Sequence, residues 1–192
     1  VNTRYIYSLS NTAAKCEFYC NSGYTWNGSG CAAVGPNLTA DITPTVNGTL
    51  RQGNTVSFNG RVVNSGGIQI IDPPFSDNFT YCWGVGCSPA TQIGSHITKS
   101  VPFAASATQN DTSANFTLSQ SGTLRVQHCI DSQGAITESD ETVADNCKIA
   151  TFTVVVPPTG TITAAPNVID GGQTSLITWS SSNAANCIVQ NS

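Results

Sequence analysis

The sequence contains no methionine and little charge, since charged residues make up 9% of its 192 residues. The net charge is −4, and no run of Lys and Arg occurs anywhere along the chain. A nucleic-acid-binding surface needs clustered cations that displace counterions from phosphates, so no nucleic-acid partner is expected. No apolar stretch approaches the ~20 residues of a membrane-spanning helix, so no transmembrane segment is expected either.

Residues that favour helices are also scarce, because Ser, Thr, Asn and Gly dominate the composition. Ser, Thr and Asn compete with the helical backbone for hydrogen bonds, and β-branched residues lose rotamer freedom in a helix. The same residue types favour strands separated by tight turns. Hydrophobic residues, at 39%, are frequent enough to form a core. The composition therefore predicts a folded, all-β protein.

Eight cysteines occur, at positions 16, 20, 31, 82, 87, 129, 147 and 187, and none forms a CxxC pair. Without such pairs a zinc site is disfavoured, and disulfides formed in an oxidising compartment are the better interpretation. We therefore expect an extracellular or cell-surface protein. Cys82 and Cys87 flank a short loop and Cys129 and Cys147 a hairpin, so each pair is a candidate bridge. Cys16, Cys20 and Cys31 are further disulfide candidates whose pairing stays open, as does that of Cys187.

Composition changes divide the chain into three predicted units. Residues 1–35 form an N-terminal strand, without an evident partner, and a Cys-rich module that needs crosslinks to stay folded. Residues 36–157 show repeated alternation of apolar and polar residues, as in 55–62, with turn residues between the strands, which is typical of a sandwich or barrel. Residues 158–192 contain two or three strands, too few to bury a core. They are interpreted as the start of a second, incomplete immunoglobulin-like domain.

The hairpin between residues 124 and 156 has one register that satisfies both its apolar pattern and its cysteines. If Cys129 lies opposite Cys147, Val126 falls opposite Ala150 and both point to the inner face, as the pleat requires. The two cysteines then share the outer face. The sequence therefore predicts an antiparallel pair with a disulfide on its outer surface.

Two stretches of the middle unit carry a resemblance to a known family. They are Gly53-Asn54-Thr55-Val56-Ser57-Phe58-Asn59-Gly60-Arg61-Val62-Val63-Asn64-Ser65-Gly66-Gly67 and Gly122-Thr123-Leu124-Arg125-Val126-Gln127-His128-Cys129-Ile130-Asp131, the latter followed by Ile136-Thr137-Glu138-Ser139-Asp140-Glu141 and Asp145-Asn146. The unit resembles the CARDB domain, a cell-adhesion-related domain of bacterial and archaeal surface proteins. The resemblance implies an immunoglobulin-like antiparallel β-sandwich in a prokaryotic surface array, adhesin or filament, and brings no catalytic residues. The Cys82–Cys87 loop and Val143-Ala144 are departures that lengthen the family's turns.

An acidic group is the candidate cation site, because carboxylate oxygens are ligands for calcium. Its members are Asp131, Glu138, Asp140, Glu141 and Asp145. The group lacks the regular spacing and central glycine of an EF-hand loop. The favoured alternative is that these carboxylates accept backbone N–H bonds and shape a long turn. Apart from this possible calcium ion, no cofactor is expected.

Aromatic residues provide candidate partner contacts, because flat apolar faces suit sugar rings and other ligands. Tyr24 and Trp26 lie in a Gly-rich segment, and Tyr5 and Tyr7 lie in the first predicted strand. Trp83 is placed in the core by strand parity. Asn-x-Ser/Thr sequons, which are candidate glycosylation sites on an exposed surface, begin at Asn27, Asn37, Asn47, Asn78, Asn110 and Asn115.

The two histidines give no sign of catalysis. Neither His96 nor His128 accompanies a Gly-x-Ser-x-Gly nucleophile elbow. His128 is expected to be a hydrogen-bonded histidine at the edge of the core. We therefore expect a protein that is not an enzyme.

Two functional hypotheses remain open. The first is a structural or adhesive module of an extracellular cell-surface assembly, either a repeat array or a filament joined by strand complementation, whose partners are neighbouring domains or copies of itself. The second is a carbohydrate-binding accessory module of a secreted protein, whose partners are surface glycans.

Overall fold

The computed structural model describes residues 3–7, 16–20, 24–26, 29–139, 143–186 and 188. The described strands are β1 (Thr3–Tyr7), β2 (Cys16–Cys20), β3 (Tyr24–Trp26), β4 (Cys31–Ala33), β5 (Leu38–Ala40), β6 (Thr45–Asn47), β7 (Thr55–Asn64), β8 (Phe75–Trp83), β9 (Thr91–Gln92), β10 (Ile97–Lys99), β11 (Thr108–Thr112), β12 (Phe116–Thr117), β13 (Gly122–Cys129), β14 (Cys147–Val154), β15 (Thr159–Ala165) and β16 (Leu176–Ser182). One helical turn, α1 (Val143–Asn146), precedes β14, where the sequence predicts a lengthened turn. The predicted all-β class is confirmed. No helix in the described ranges is long and apolar enough to span a bilayer.

The first sheet of the sandwich is organised around β7, the longest strand. From Val56 onwards its residues alternate between buried and half-exposed, in line with the apolar alternation of residues 55–62, and Val56, Phe58 and Val62 are on the buried side. Strands β5 and β11 pair with its second half, and β6 and β12 pair with its first half, all antiparallel. One long alternating strand therefore aligns four short ones.

The second sheet has the order β10–β8–β13–β14, with β9 also paired to β8. Cys129 lies opposite Cys147 and Val126 opposite Ala150, so the predicted register of this hairpin is confirmed. All named pairs in this sheet are antiparallel. The observed sandwich therefore has the antiparallel class that the sequence predicts.

Two apolar clusters fill the space between the sheets, and each contains residues from both. The first apolar cluster comprises Leu38, Ala40, Val62, Ile70, Phe75, Phe103, Ile130 and Ile136. The second apolar cluster comprises Val56, Phe58, Phe79, Ile93, Leu118, Leu124, Val126 and Val154, with Trp83 packed against it as strand parity predicts. The same central strands contribute to both clusters at different points along their length.

Three disulfides are present among the described residues: Cys20–Cys31, Cys82–Cys87 and Cys129–Cys147. The second closes a loop at the end of β8, and the third joins the neighbouring strands β13 and β14, as expected from the sequence. The side chain of Cys16 and all of Cys187 lie outside the described part of the chain.

Two-stranded antiparallel hairpins flank the sandwich in sequence. Strand β1 pairs with β2, β3 with β4, and β15 with β16. The expectation that the first strand lacks a partner is therefore wrong, because residues 16–20 supply one. The apolar and aromatic residues of CEFYC favour a strand, but their cysteines suggested a crosslinked loop instead.

Gly60 allows the two sheets to approach at their centre. A Cβ atom added there would lie 2.3 Å from His128 Nδ1 and 2.6 Å from His128 Cε1. His128 is itself fully buried, so its ring has little room to move away.

We expect Gly60→Ala to lower the free energy of unfolding by about 1–3 kcal/mol, the usual range for overpacking a core. Equilibrium denaturant unfolding measures this change. Gly67→Ala is the matched control, because a Cβ atom there would meet nothing within 4 Å, and its effect should stay within about 0.5 kcal/mol. Equal losses for both variants would contradict the close approach.

Candidate functional site

Four ionisable side chains meet in the middle of the sandwich, and we call them the central cluster: Asp77, Lys99, Asp111 and His128. Each is almost completely shielded from solvent, with 0%, 0%, 2% and 0% of its surface exposed, respectively. They come from β8, β10, β11 and β13, so the cluster includes strands of both sheets.

The pleat places the central cluster between the two apolar clusters. On β8, Asp77 alternates with Phe75 of the first apolar cluster and Phe79 of the second. On β13, His128 follows Val126 of the second apolar cluster by two residues, and Ile130 of the first lies two residues beyond it. The sandwich therefore has a polar layer between two apolar layers.

Direct contacts connect all four members of the central cluster. Lys99 Nζ donates a hydrogen bond to Asp111 Oδ1, and it lies 3.4 Å from Asp77 Oδ2. His128 Nε2 lies 2.9 Å from Asp111 Oδ2. The other Asp77 oxygen, Oδ1, accepts a hydrogen bond from the backbone N–H of Asp131 at 3.0 Å. Each oxygen of the Asp77 and Asp111 carboxylates therefore has a contact with a neighbouring polar group.

The imidazole of His128 is fixed by packing as well as by its hydrogen bond. Its ring stacks on Phe79, with 4.3 Å between ring centroids and an interplanar angle of 19°. On the opposite sheet it meets the backbone of Gly60. Its Nδ1 atom is buried and has no hydrogen-bond partner in the described part of the protein.

Burial shifts the ionisation of the central cluster towards neutral forms. It raises the pKa of the Asp77 carboxyl above its usual range, against the opposing effect of Lys99. It lowers the pKa of the Lys99 amine, against the opposing effect of Asp77. It also lowers the pKa of His128 to about 4, which Asp77 opposes and Lys99 reinforces. His128 is therefore neutral at physiological pH.

Asp77, Asp111 and His128 each offer one potential metal-ligand atom, and these atoms lie within 4.8 Å of one another. No other group of three such residues occurs among the described ranges. The amine of Lys99 contacts both carboxylates, however, and so occupies the position where a cation would have to bind. As it stands, the arrangement is better suited to an amine held between carboxyl groups.

The described members of the acidic group that the sequence analysis names as a candidate cation site do not form a cluster like the central cluster. Both carboxylate oxygens of Asp131 accept backbone N–H bonds, from Ala135 at 2.9 Å and Ile136 at 2.8 Å. Glu138 Oε2 accepts the N–H of Leu38 at 2.5 Å. The bonds of Asp131 lie within its own turn, as the turn-shaping alternative has it, whereas the bond of Glu138 connects that segment to β5. Residues 140 and 141 lie outside the described part of the chain, and Asp145 lies in α1.

The aromatic candidates are only partly within the described structure. Tyr24 and Trp26 lie two residues apart on β3 and are 39% and 52% exposed, so their side chains share one side of that strand. The side chains of Tyr5 and Tyr7 lie outside the described part. Among the sequons, those at Asn47, Asn110 and Asn115 are exposed, those at Asn37 and Asn78 are half-buried, and Asn27 is not described.

Sequence reasoning singled out His128 but missed the other three members of the central cluster. A signal for them exists in the alternation. Asp77 occupies the inward position between Phe75 and Phe79, and Lys99 follows Ile97 by two residues. A charged residue at an inward position is unusual enough to mark a site.

Comparisons with solved structures find similar folds. The crystal structure of the CARDB domain of the PF1109 protein from Pyrococcus furiosus, in complex with di-metal ions, is 20% identical over 64% of this chain and 96% of that chain, with a TM-score of 0.45. A solution NMR structure of the same domain is 17% identical over 64% and 97%, with a TM-score of 0.44. Both structures are CARDB domains, the family that the middle unit of the sequence resembles. No family model matches the chain, and no curated protein matches it.

We expect acid to destabilise the protein through His128, whose pKa is depressed by burial and by Lys99 against the opposing effect of Asp77. As pH falls below 6.5, the unfolded chain binds a proton on this ring while the folded chain does not until about pH 4. The free energy of unfolding should therefore fall by up to roughly 3 kcal/mol between these pH values.

Denaturant unfolding of the protein and of His128→Asn, measured from pH 4 to pH 7, tests this expectation. The difference in free energy of unfolding between the wild-type protein and His128→Asn should become smaller as the pH falls. His96→Asn, at the other histidine, whose side chain is exposed, should keep the pH dependence because His128 remains. An unchanged slope in His128→Asn would contradict a neutral buried imidazole.

Proposed function

We propose that this protein is a structural and adhesive module of an extracellular cell-surface assembly, built by contacts between copies of the chain. The observation that carries the proposal is the uncovered apolar face of the β15–β16 hairpin. The disulfides support an oxidising location outside the cell, because reducing compartments keep thiols unpaired.

The β15–β16 hairpin has two chemically distinct faces. On one face Thr161 pairs with Ser180 and Thr163 with Thr178, and their hydroxyl groups are 2.7 and 2.8 Å apart. The other face carries Ile162 opposite Trp179, with Ala164 opposite Ile177 beside them. Alternation of this kind is typical of an antiparallel sheet that buries one face and exposes the other.

Nothing in the described part of the chain covers the apolar face. Ile162 is 61% exposed, Ile177 47% and Trp179 53%. A two-stranded hairpin is marginally stable by itself and needs further strands or another surface to bury its apolar side. Exposed apolar faces of this kind mark interaction sites.

We assign a second copy of this chain as the occupant of that face. Asp170 is the only charged residue between positions 159 and 182, so little charge has to be removed from water when a second copy docks there. The β1–β2 hairpin is likewise a two-stranded unit, and its first strand alternates Tyr5 and Tyr7 with Arg4 and Ile6. Docking of that hairpin onto β15–β16 of the next copy joins two different surfaces of the chain, and head-to-tail contacts of this kind build an open fibre when the rotation between copies does not close a ring.

We expect the double substitution Ile162→Thr and Trp179→Thr to abolish assembly of the purified chain. The substitutions remove the apolar surface, which is the driving force for docking, at positions that are exposed in the single chain. Size-exclusion chromatography with light scattering, together with electron microscopy, measures the assembled fraction.

The matched control is Thr161→Ala with Ser180→Ala, which changes the polar face of the same hairpin and should preserve assembly. Thermal unfolding of all variants checks that the sandwich remains folded. A wild-type chain that stays monomeric at high concentration, or a double variant that still assembles, would contradict the proposal.

A second candidate function is carbohydrate binding, which the exposure of Tyr24 and Trp26 on one side of β3 favours. Two aromatic rings two residues apart on a strand can stack on adjacent sugar rings of an extended glycan. This role would make the chain an accessory module and requires no catalytic residue in it.

We expect Trp26→Ala to remove binding to any glycan that the wild-type chain retains on a glycan array. Trp179→Ala, which removes an equally exposed tryptophan from a different hairpin, should leave that binding intact. Silence of the wild-type chain across the array, or equal loss in both variants, would argue against a sugar site on β3.

A further inference from the structure

The central cluster holds a primary amine directly against a carboxyl group in the interior of the protein. Lys99 Nζ contacts Asp111 Oδ1, and neither side chain is exposed by more than 1%. The two groups come from different sheets, because β10 pairs with β8 and β11 pairs with β7. A buried ion pair is a costly way to join two sheets when the same space can hold apolar side chains.

Asp77 supplies a second carboxyl group, which is positioned to move protons between the amine of Lys99 and the carboxyl group of Asp111. Asp77 Oδ2 lies 3.4 Å from Lys99 Nζ, while Asp77 Oδ1 is fixed by the N–H of Asp131. Burial raises the pKa of the Asp77 carboxyl and lowers that of the Lys99 amine, so both shifts favour a protonated carboxyl beside an unprotonated amine. An unprotonated amine is a nucleophile, and a carboxyl group is an effective proton carrier.

We propose that Lys99 and Asp111 condense to an intramolecular amide that crosslinks the two sheets, with Asp77 as the proton carrier. The Nζ lone pair forms a bond to Cγ of Asp111. The Lys99 ammonium first gives one proton to the Asp77 carboxylate, which leaves the neutral amine that attacks, and Asp77 passes that proton to Asp111 Oδ1. A second Nζ proton follows the same route through Asp77 after the new bond has formed, so Oδ1 carries two protons and leaves as water. The products are one amide and one water molecule, Asp77 ends as it began, and no oxidant or reductant takes part.

His128 orients the carboxyl group that is attacked. Its Nε2 atom lies 2.9 Å from Asp111 Oδ2, and the tautomer with its proton on Nε2 donates a hydrogen bond there. That bond polarises the carboxyl group and retains Oδ2 as the carbonyl oxygen of the amide. The stacked ring of Phe79 and the close backbone of Gly60 keep the imidazole in place.

The surroundings favour condensation over hydrolysis. The reacting atoms are held in contact, which replaces a bimolecular encounter by an intramolecular step. The apolar clusters on both sides exclude water, the reagent of the reverse reaction. The reaction happens once per chain and has no external substrate, so it is a self-modification and does not make the protein an enzyme.

The intact mass of the whole folded chain, measured after reduction and denaturation, tests the amide. We expect the mass to be lower than that of the sequence by one water molecule. Trypsin should then fail to cleave after Lys99, because the amide removes its positive charge, and residues 62–125 should remain one peptide. Fragmentation of that peptide should place the link between Lys99 and Asp111.

Variants separate the amide from other losses of water, such as succinimide formation at Asp170-Gly171. Lys99→Arg keeps the charge but lacks the amine, and Asp111→Ala lacks the carbonyl carbon, so both should show the full sequence mass. Asp77→Asn should slow or abolish the loss. Asp111→Asn should lose ammonia in place of water and reach the same final mass as the crosslinked wild-type chain.

The wild-type protein by itself decides the outcome if a variant fails to fold. A full sequence mass with normal cleavage after Lys99 would overturn the proposal. A full sequence mass together with a divalent ion retained by the native chain would assign the central cluster to metal binding and would overturn it as well. A loss of water that persists in Lys99→Arg would also refute the link.

Discussion

The structure depends on how two β-sheets are joined at a centre that is polar. The pleat directs every second side chain of β7, β8 and β13 into the space between the sheets, and at the middle of that space the inward residues are Gly60, Asp77 and His128. Removing these ionisable groups from water is costly unless they neutralise or satisfy one another. The contacts within the central cluster, and the space left by the missing Cβ atom of Gly60, meet that requirement.

Sequence reasoning recovered the fold where apolar alternation is strong. The register of β13 and β14 followed from Val126, Ala150 and the two cysteines, because only one alignment satisfies all of them. It failed for β10 and β11, whose inward positions carry Lys99 and Asp111. Short strands with charged residues facing inward have the pattern of an exposed loop, and their pairing is decided by partners distant in sequence.

The same reason explains why most of the central cluster was not predicted. Each of its members is unremarkable in its own segment, and the site exists only because four strands from two sheets bring the members together. By contrast, the acidic residues near position 138 attracted attention because they are adjacent in sequence. Asp131 accepts the N–H groups of its own turn, as carboxylates in turns often do, and Glu138 accepts the N–H of the distant Leu38. Proximity in sequence therefore indicated a turn, while the chemically unusual site required the tertiary fold.

The positions of the described disulfides show why the contact between Lys99 and Asp111 matters for joining the two sheets. Cys129–Cys147 joins neighbouring strands of one sheet, Cys82–Cys87 closes a loop at the end of β8, and Cys20–Cys31 joins β2 to β4. None of these described disulfides connects the two sheets of the sandwich. The described contacts across the sandwich are non-covalent: the two apolar clusters, the backbone hydrogen bonds of Val155 with residues 50 and 52, and the contacts of Asp111 with Lys99 and His128. An amide between Lys99 and Asp111 would therefore be the one covalent side-chain link between the two sheets among the described residues.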